Sequence, residues 1–224
     1  MTTTRQQLTE IYEHLFGAFG PQHWWPGETR FEIIVGAILT QNTSWANVAK
    51  AIANLKRAER LEPDRLHALD TAELEQLVRP AGYFRLKAKR LRNFTQWLFD
   101  AHEGRLDALD AIETHRLREE LLGISGIGPE TADSILLYAL DRPVFVVDTY
   151  TARIAVRHSL IEPDIDYTQL QYLFESNLEP DVRLFNEFHA LLVHVGKDFC
   201  KPTPKCSACP LNNLPHTVEN SCDP

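Results

Sequence analysis

Two groups of residues in this sequence are of types and spacings that do chemistry. Four cysteines fall within the last 25 residues, spaced Cys200-x5-Cys206-x2-Cys209-x12-Cys222. Four thiolates suit tetrahedral zinc or an iron–sulfur cube, and in a cytosolic protein such a terminal cluster points to a metal site ahead of a pair of disulfides. The second group centres on Asp148, which follows the apolar approach "RPVFVV" and precedes "TYTARIAVRH". By itself Asp148 is a helix N-cap, with Thr151 three residues on. That position also favours the ionised carboxylate at neutral pH.

These residues need a scaffold, and the hydrophobic pattern supplies a helical one. Phe31, Ile34, Val35, Ile38 and Leu39 lie at i, i+3, i+4, i+7 and i+8, and Trp45, Val48, Ala49 and Ile52 repeat the pattern. Ala132, Ile135, Leu136, Ala139 and Leu140 follow it again. Further helices are expected near 5–18, 71–79, 84–102, 113–122, 147–157, 167–178 and 181–196. Breaks fall at "FGPQHWWPGET", "LEPD", "RPAGY", "SGIGP", "LDRP" and "IEPD", all rich in turn residues. The only good strand candidate is the short "PVFVV". The fold class expected is all-α.

At 224 residues and 44% hydrophobic, the chain can bury a proper core, as one large or two small domains. No apolar run approaches a membrane span, and "MTTTRQQLTE" is no signal peptide, so a soluble cytoplasmic protein is expected. The net charge of −8 argues against indiscriminate nucleic-acid binding, yet leaves room for a local basic face.

Between two helical segments stands "LLGISGIGPETA". A helix ends near Gly123 and another starts near Pro129, which suits a first helical position. Gly126 and Gly128 are expected to take positive φ and allow close approach, leaving backbone N–H groups at the second helix's start to face a phosphate. The alternative is an ordinary turn between packed helices. In "HWWPGET", Trp24, Trp25 and Pro26, with Trp45 in the next helix, form either a core corner or a π-rich box. The segment "FRLKAKRLRNF" carries Arg85, Lys87, Lys89, Arg90 and Arg92; such a run reads as a solvated face, with DNA contact as the alternative.

Taken together, Leu122 to Ala132, Val147-Asp148-Thr149 with Arg153, "ILTQNTSWANVAKAI" around Gln41 and the cysteine cluster make the chain resemble the endonuclease III superfamily of helix-hairpin-helix DNA glycosylases. The resemblance spans roughly Phe31 to Cys209. It implies two helical domains, a six-helix bundle over 28–140 and a second domain from 1–27 plus 141–224, with a DNA- and base-binding cleft between them. Double-stranded damaged DNA is the implied partner, and a monomer is expected, nucleoid-associated if bacterial. Asp148 becomes the catalytic carboxylate, stabilising positive charge on the sugar or orienting the attacking water. Gln41, Gly126, Gly128 and Thr131 become DNA-binding residues, with Gln41 filling the space left by a flipped base.

In bifunctional members a lysine of the hairpin's second helix attacks the sugar through a Schiff base. The matching position here is Glu130, which cannot form an imine, so the resemblance implies a monofunctional glycosylase. "WWPG…ILTQNTSW" looks most like the 3-methyladenine glycosylase branch, where the matching aromatics line the base pocket, so an alkylated purine is the expected substrate. The alternatives are an oxidised-pyrimidine glycosylase with AP-lyase activity and a catalytically silent DNA-damage binder. The resemblance favours a [4Fe–4S] cluster, with zinc as the alternative, on Cys200, Cys206, Cys209 and Cys222 of loop 200–222. The spacing departs from the usual one: the first gap is a residue short and the last much longer.

Overall fold

Wherever apolar residues recur at helical spacing, the chain closes into a helix, because only that geometry gathers them on one face. The computed structural model describes residues 3–218. Its helices are α1 (Thr4–Phe19), α2 (Arg30–Leu39), α3 (Trp45–Arg57), α4 (Pro63–His67), α5 (Thr71–Val78), α6 (Phe84–His102), α7 (Thr114–Leu122), α8 (Pro129–Ser134), α9 (Thr149–Arg157), α10 (Tyr167–Glu175) and α11 (Val182–Asp198). Short 3-10 segments link several of them, and α8 continues into a π-helical turn at Ile135–Ala139. Among the described residues there is no β-strand, so the protein is all-α. The expected break at "LEPD" also opens α4, with Pro63 in its first turn where a missing N–H costs nothing.

Helix starts are set by local chemistry. Thr3 and Gln6 make a reciprocal capping box at α1, Asp166 and Gln169 another at α10, and Asp70 and Asp181 cap α5 and α11 through their carboxylates.

The chain divides into two compact units, Trp25–Arg142 and Met1–Trp24 with Pro143–Pro224. In the first, α2 is the central element. From Phe31 to Leu39 every residue but Ile33 is buried, and it packs on the π-helical turn, α3 and α6. In the second, α11 packs on α9 and α1. Its core is aromatic: Phe145 stacks on Phe174 at 4.2 Å and meets Phe185 and Phe188 edge-on at 5.2 and 5.9 Å. Burying each such ring contributes about 1.5–3 kcal/mol.

The segment "PVFVV" is extended and buried from Val144 to Val147 but pairs with no strand. Side chains of α10 take the place of a ladder. The Phe145 N–H donates to Glu175 Oε1 at 2.8 Å, and Gln171 Nε2 donates to the Phe145 carbonyl at 2.8 Å. An extended core segment becomes a strand only when a neighbouring backbone is available, and here the neighbour is a helix.

Candidate functional site

The glycine turn joins α7 to α8. Gly126 takes φ +99°, a conformation open to glycine, and a Cβ there would lie 2.5 Å from Arg90 Cγ. The expectation of positive φ fails at Gly128, whose φ of −95° and ψ of 178° are those of an extended N-cap. No atom lies within 4 Å of a Cβ placed there, so that face is open. No side-chain hydrogen bond caps α8. The hairpin is clamped from below by Arg118 of α7, which donates two hydrogen bonds, 2.6 and 2.9 Å, to the fully buried Asp133 of α8.

Gln41 lies just after α2 and is tied to this turn from both ends of its amide. Nε2 donates to Thr131 Oγ1 at 2.7 Å and to the Gly126 carbonyl at 3.2 Å, while Oε1 accepts from Arg90 Nη1. Asn93 adds a bond from α6 to the Ser125 carbonyl at 2.7 Å. Thr131, expected to meet DNA, is instead buried, 5% exposed, with its hydroxyl holding Gln41. Its position in the first turn of α8 points the side chain into the fold. Glu130, by contrast, is exposed one residue earlier.

The basic run on α6 is not a single solvated face. Lys87 is 1% exposed and donates to the Ala81 carbonyl at 2.6 Å, capping a 3-10 turn; burial, reinforced by Arg90, pushes its ammonium pKa down. Arg92 bonds the Leu69 carbonyl, Arg90 holds the hairpin, and Arg85 and Lys89 stay exposed. Lys87, Arg90 and Arg92 turn to carbonyl and amide acceptors, because a buried acceptor left unpaired is costly.

Trp25 meets Trp45 edge-on at 5.2 Å and lies 5.2 Å from the ring of Tyr138 in the π-helical turn. A Cβ on Gly36 would sit 3.1 Å from Trp25 Nε1, so that glycine makes room for the indole. Trp25 and Trp45 are half-buried and Pro26 is exposed. Trp24, also half-buried, belongs to the other unit. Tyr138 was invisible as a partner in "ILLYAL", where it reads as one more apolar position.

Asp148 caps α9, accepting at Oδ1 from the Thr151 N–H (2.7 Å) and hydroxyl (2.9 Å). Its Oδ2 lies 3.7 Å from His189 Nε2, with the Asp148 side chain 12% exposed. Burial alone would raise the carboxyl pKa; His189 and the Thr151 hydrogen bonds outweigh it, so the group is held below the usual Asp range. His189 was legible only as a lone imidazole in the apolar stretch "FHALLV".

Cys200, Cys206 and Cys209 line one cavity with Arg157, His158, Leu211 and His216. Burial pushes the Cys209 thiol pKa up, and the neighbouring Cys200 and Cys206 add to it. Arg157, 2% exposed, donates to Cys200 Sγ at 3.1 Å and to the carbonyls of Lys201 and Pro202, while Arg153 donates to the Cys200 carbonyl. Helix α9, capped by Asp148, thus also anchors the cysteine loop through Arg153 and Arg157. Among the described residues no group of three His, Cys, Asp or Glu side chains is gathered closely enough to hold a metal ion, and Cys222 lies outside them. No helix among the described residues is long and apolar enough to cross a membrane.

A provisionally named DNA repair glycosylase of Methanocaldococcus jannaschii is 46% identical over 210 residues, covering 93% of this chain and 96% of its own length. The H. pylori 3-methyladenine DNA glycosylase MagIII, solved bound to 1,N6-ethenoadenine, superposes with a TM-score of 0.72 at 29% identity, over 87% of this chain and 97% of its own. Endonuclease III in a non-covalent DNA complex shares the fold with a TM-score of 0.82 at 24% identity, over 98% of both chains. Residues 35–180 match the family described as HhH-GPD superfamily base excision DNA repair protein. This chain therefore belongs to the HhH-GPD superfamily of base excision DNA repair proteins.

Proposed function

We propose that the protein is a monofunctional DNA N-glycosylase that releases an alkylated purine, such as 3-methyladenine, from duplex DNA. The observation that carries this reading is the setting of Asp148. It is fixed by Thr151 at a helix N-terminus, faces an imidazole and is held ionised. Breaking an N-glycosidic bond leaves positive charge on the sugar. A preorganised anion stabilises that charge or orients the attacking water, and contributes most where water is scarce.

The hairpin supplies no amine for a lyase step. Glu130 is exposed in the first turn of α8 at the position where bifunctional members of the family resembled carry lysine, and a carboxylate forms no imine. Gly126 and Gly128, with the first-turn N–H groups of α8, are the proposed phosphate grip, since open backbone at a helix start favours an anion. Gln41, already oriented by Arg90 and Thr131, is the residue proposed to fill the duplex. The rings of Trp25, Trp45 and Tyr138, flanked in sequence by Trp24 and Pro26, are the proposed base platform. Their π faces favour a cationic alkylated purine over a neutral base.

For the C-terminal loop, the donor set is soft: three thiols lining one cavity, with Cys222 as the fourth in sequence. The ligand types, rather than their spacing in this structure, suit a [4Fe–4S] cluster or zinc, and in either case the group would brace the loop that Arg153 and Arg157 hold to α9. Iron and zinc analysis of purified protein, with the visible absorption spectrum, distinguishes the two.

The test of function is release of free bases from methylated duplex DNA, followed by mass spectrometry, with and without alkali. Free methylpurine, with strand breaks only after alkali, is the expected result. Breaks without alkali would overturn the monofunctional assignment, and no release from methylated DNA would overturn the substrate.

A further inference from the structure

His189 is a polar residue in an apolar place. It sits on the inward face of α11 between Phe188 and Ala190, is 5% exposed, and has Leu191 and Leu192 following it in the core. Burying an imidazole there is unfavourable unless a partner offsets the lost hydration. The partner is Asp148, whose two carboxylate oxygens are engaged differently. Oδ1 accepts both hydrogen bonds from Thr151, and Oδ2 is turned towards His189 Nε2 at 3.7 Å.

Charged and titratable groups on α9, α11 and α1, the helices that pack together here, bond to other partners. From α9, Arg153 bonds the Cys200 carbonyl and lies over the Tyr150 ring at 5.5 Å. From α11 itself, His194 bonds Gln22 and faces Asp198, and Glu187 accepts from the Gln22 N–H. From α1, Tyr12 packs edge-on to Phe188 at 5.4 Å. The side chain that Asp148 Oδ2 faces is His189, with Nε2 at 3.7 Å.

From this geometry we infer that His189 is a positioning residue for the glycosylase reaction: it fixes the free oxygen of Asp148 and favours the carboxylate form on which base release depends. Thr151 alone fixes one oxygen and leaves the second free to turn or to take up a proton. With His189 in place, both ends of the carboxylate are specified by side chains from two different helices. This inference rests on Asp148 being the catalytic carboxylate, and the experiment separates the two claims.

The experiment combines a direct titration with kinetics. Protein carrying 13C-labelled aspartate carboxyls is titrated by NMR, with Asp148→Asn used to assign the Asp148 signal. In His189→Ala the Asp148 titration is expected to move to higher pH than in the wild type. The acid limb of the single-turnover pH profile for base release should move with it, while affinity for DNA stays the same. His189→Gln replaces the imidazole with an uncharged amide of similar reach and should show the same upward shift, so the test survives if the alanine variant does not fold. An Asp148 titration unmoved in both variants would overturn the inference, as would a rate reduced equally at every pH. Base release persisting in Asp148→Asn would refute the proposed function, with the titration still deciding the pairing.

Discussion

The Arg118–Asp133 ion pair joins α7 to α8, and its two partners are not equivalent. Asp133 is fully buried, while the Arg118 side chain is 26% exposed, and the pair is joined by two hydrogen bonds of 2.6 and 2.9 Å. In Arg118→Ala the buried carboxylate loses the charge and the two hydrogen bonds of Arg118. Breaking a buried pair in this way costs about 3–5 kcal/mol. In Asp133→Asn the amide oxygen still accepts from Arg118, whose head reaches water, and the loss is about 1–2 kcal/mol, the difference between charge-assisted and neutral hydrogen bonds. Arg118→Ala should therefore be the worse variant, by roughly 2 kcal/mol, and should lower Tm by roughly 10 °C at the 2–4 °C per kcal/mol usual for chains of this size. The double variant Arg118→Met with Asp133→Leu leaves no buried charge and should be more stable than Arg118→Ala alone. Urea unfolding followed by far-UV circular dichroism measures all three. Equal losses in the two single variants, or a loss under about 1 kcal/mol in Arg118→Ala, would refute the reasoning.

Three further outcomes follow from the same geometry. Gly126→Ala puts a side chain at φ +99° and 2.5 Å from Arg90 Cγ, so it should destabilise by at least about 1 kcal/mol and disturb Gln41; Gly128→Ala, in extended backbone with open space, should change stability by less than about 0.5 kcal/mol while weakening DNA binding in a fluorescence-anisotropy titration. Asp148 has a folded pKa below its unfolded value of about 3.9, so its stabilising contribution is present above that pH and lost as pH falls through the folded pKa; Asp148→Asn should flatten this part of the acid unfolding curve. Lys87 has a folded pKa below its unfolded value of about 10.4, so protonation opposes folding at neutral pH and the penalty lifts as pH rises through the folded pKa; Lys87→Met should remove that alkaline gain in Tm.

Much of the secondary structure was legible because it is local. Phe31, Ile34, Val35, Ile38 and Leu39 recur with helical spacing, and α2 buries all five. The helices expected near 5–18 and 84–102 are α1 and α6 to within a residue or two, since a capping residue or a glycine marks each boundary in the chain itself. "PVFVV" misled because its composition describes burial and extension, both of which it has, but not the neighbour that would make it a strand. Gly128 misled in the same way. Its sequence context permitted positive φ, and the needs of the N-cap decided otherwise.

What the sequence determined by itself, then, is the helices other than the short α4, the turn that joins α7 to α8, the carboxylate Glu130 at the lysine position of the family resembled, and the family to which the chain belongs. What only the tertiary structure decided is which partner each polar group found. Gln41 met Arg90 and Thr131, Trp25 met Tyr138, and Asp148 met His189, across separations of 41 to 113 residues. Periodicity and capping act within a turn or two of helix. The partner of a buried amide or carboxylate is set by packing among helices distant in the chain, where the cost of leaving the group alone selects whichever donor the fold brings within reach.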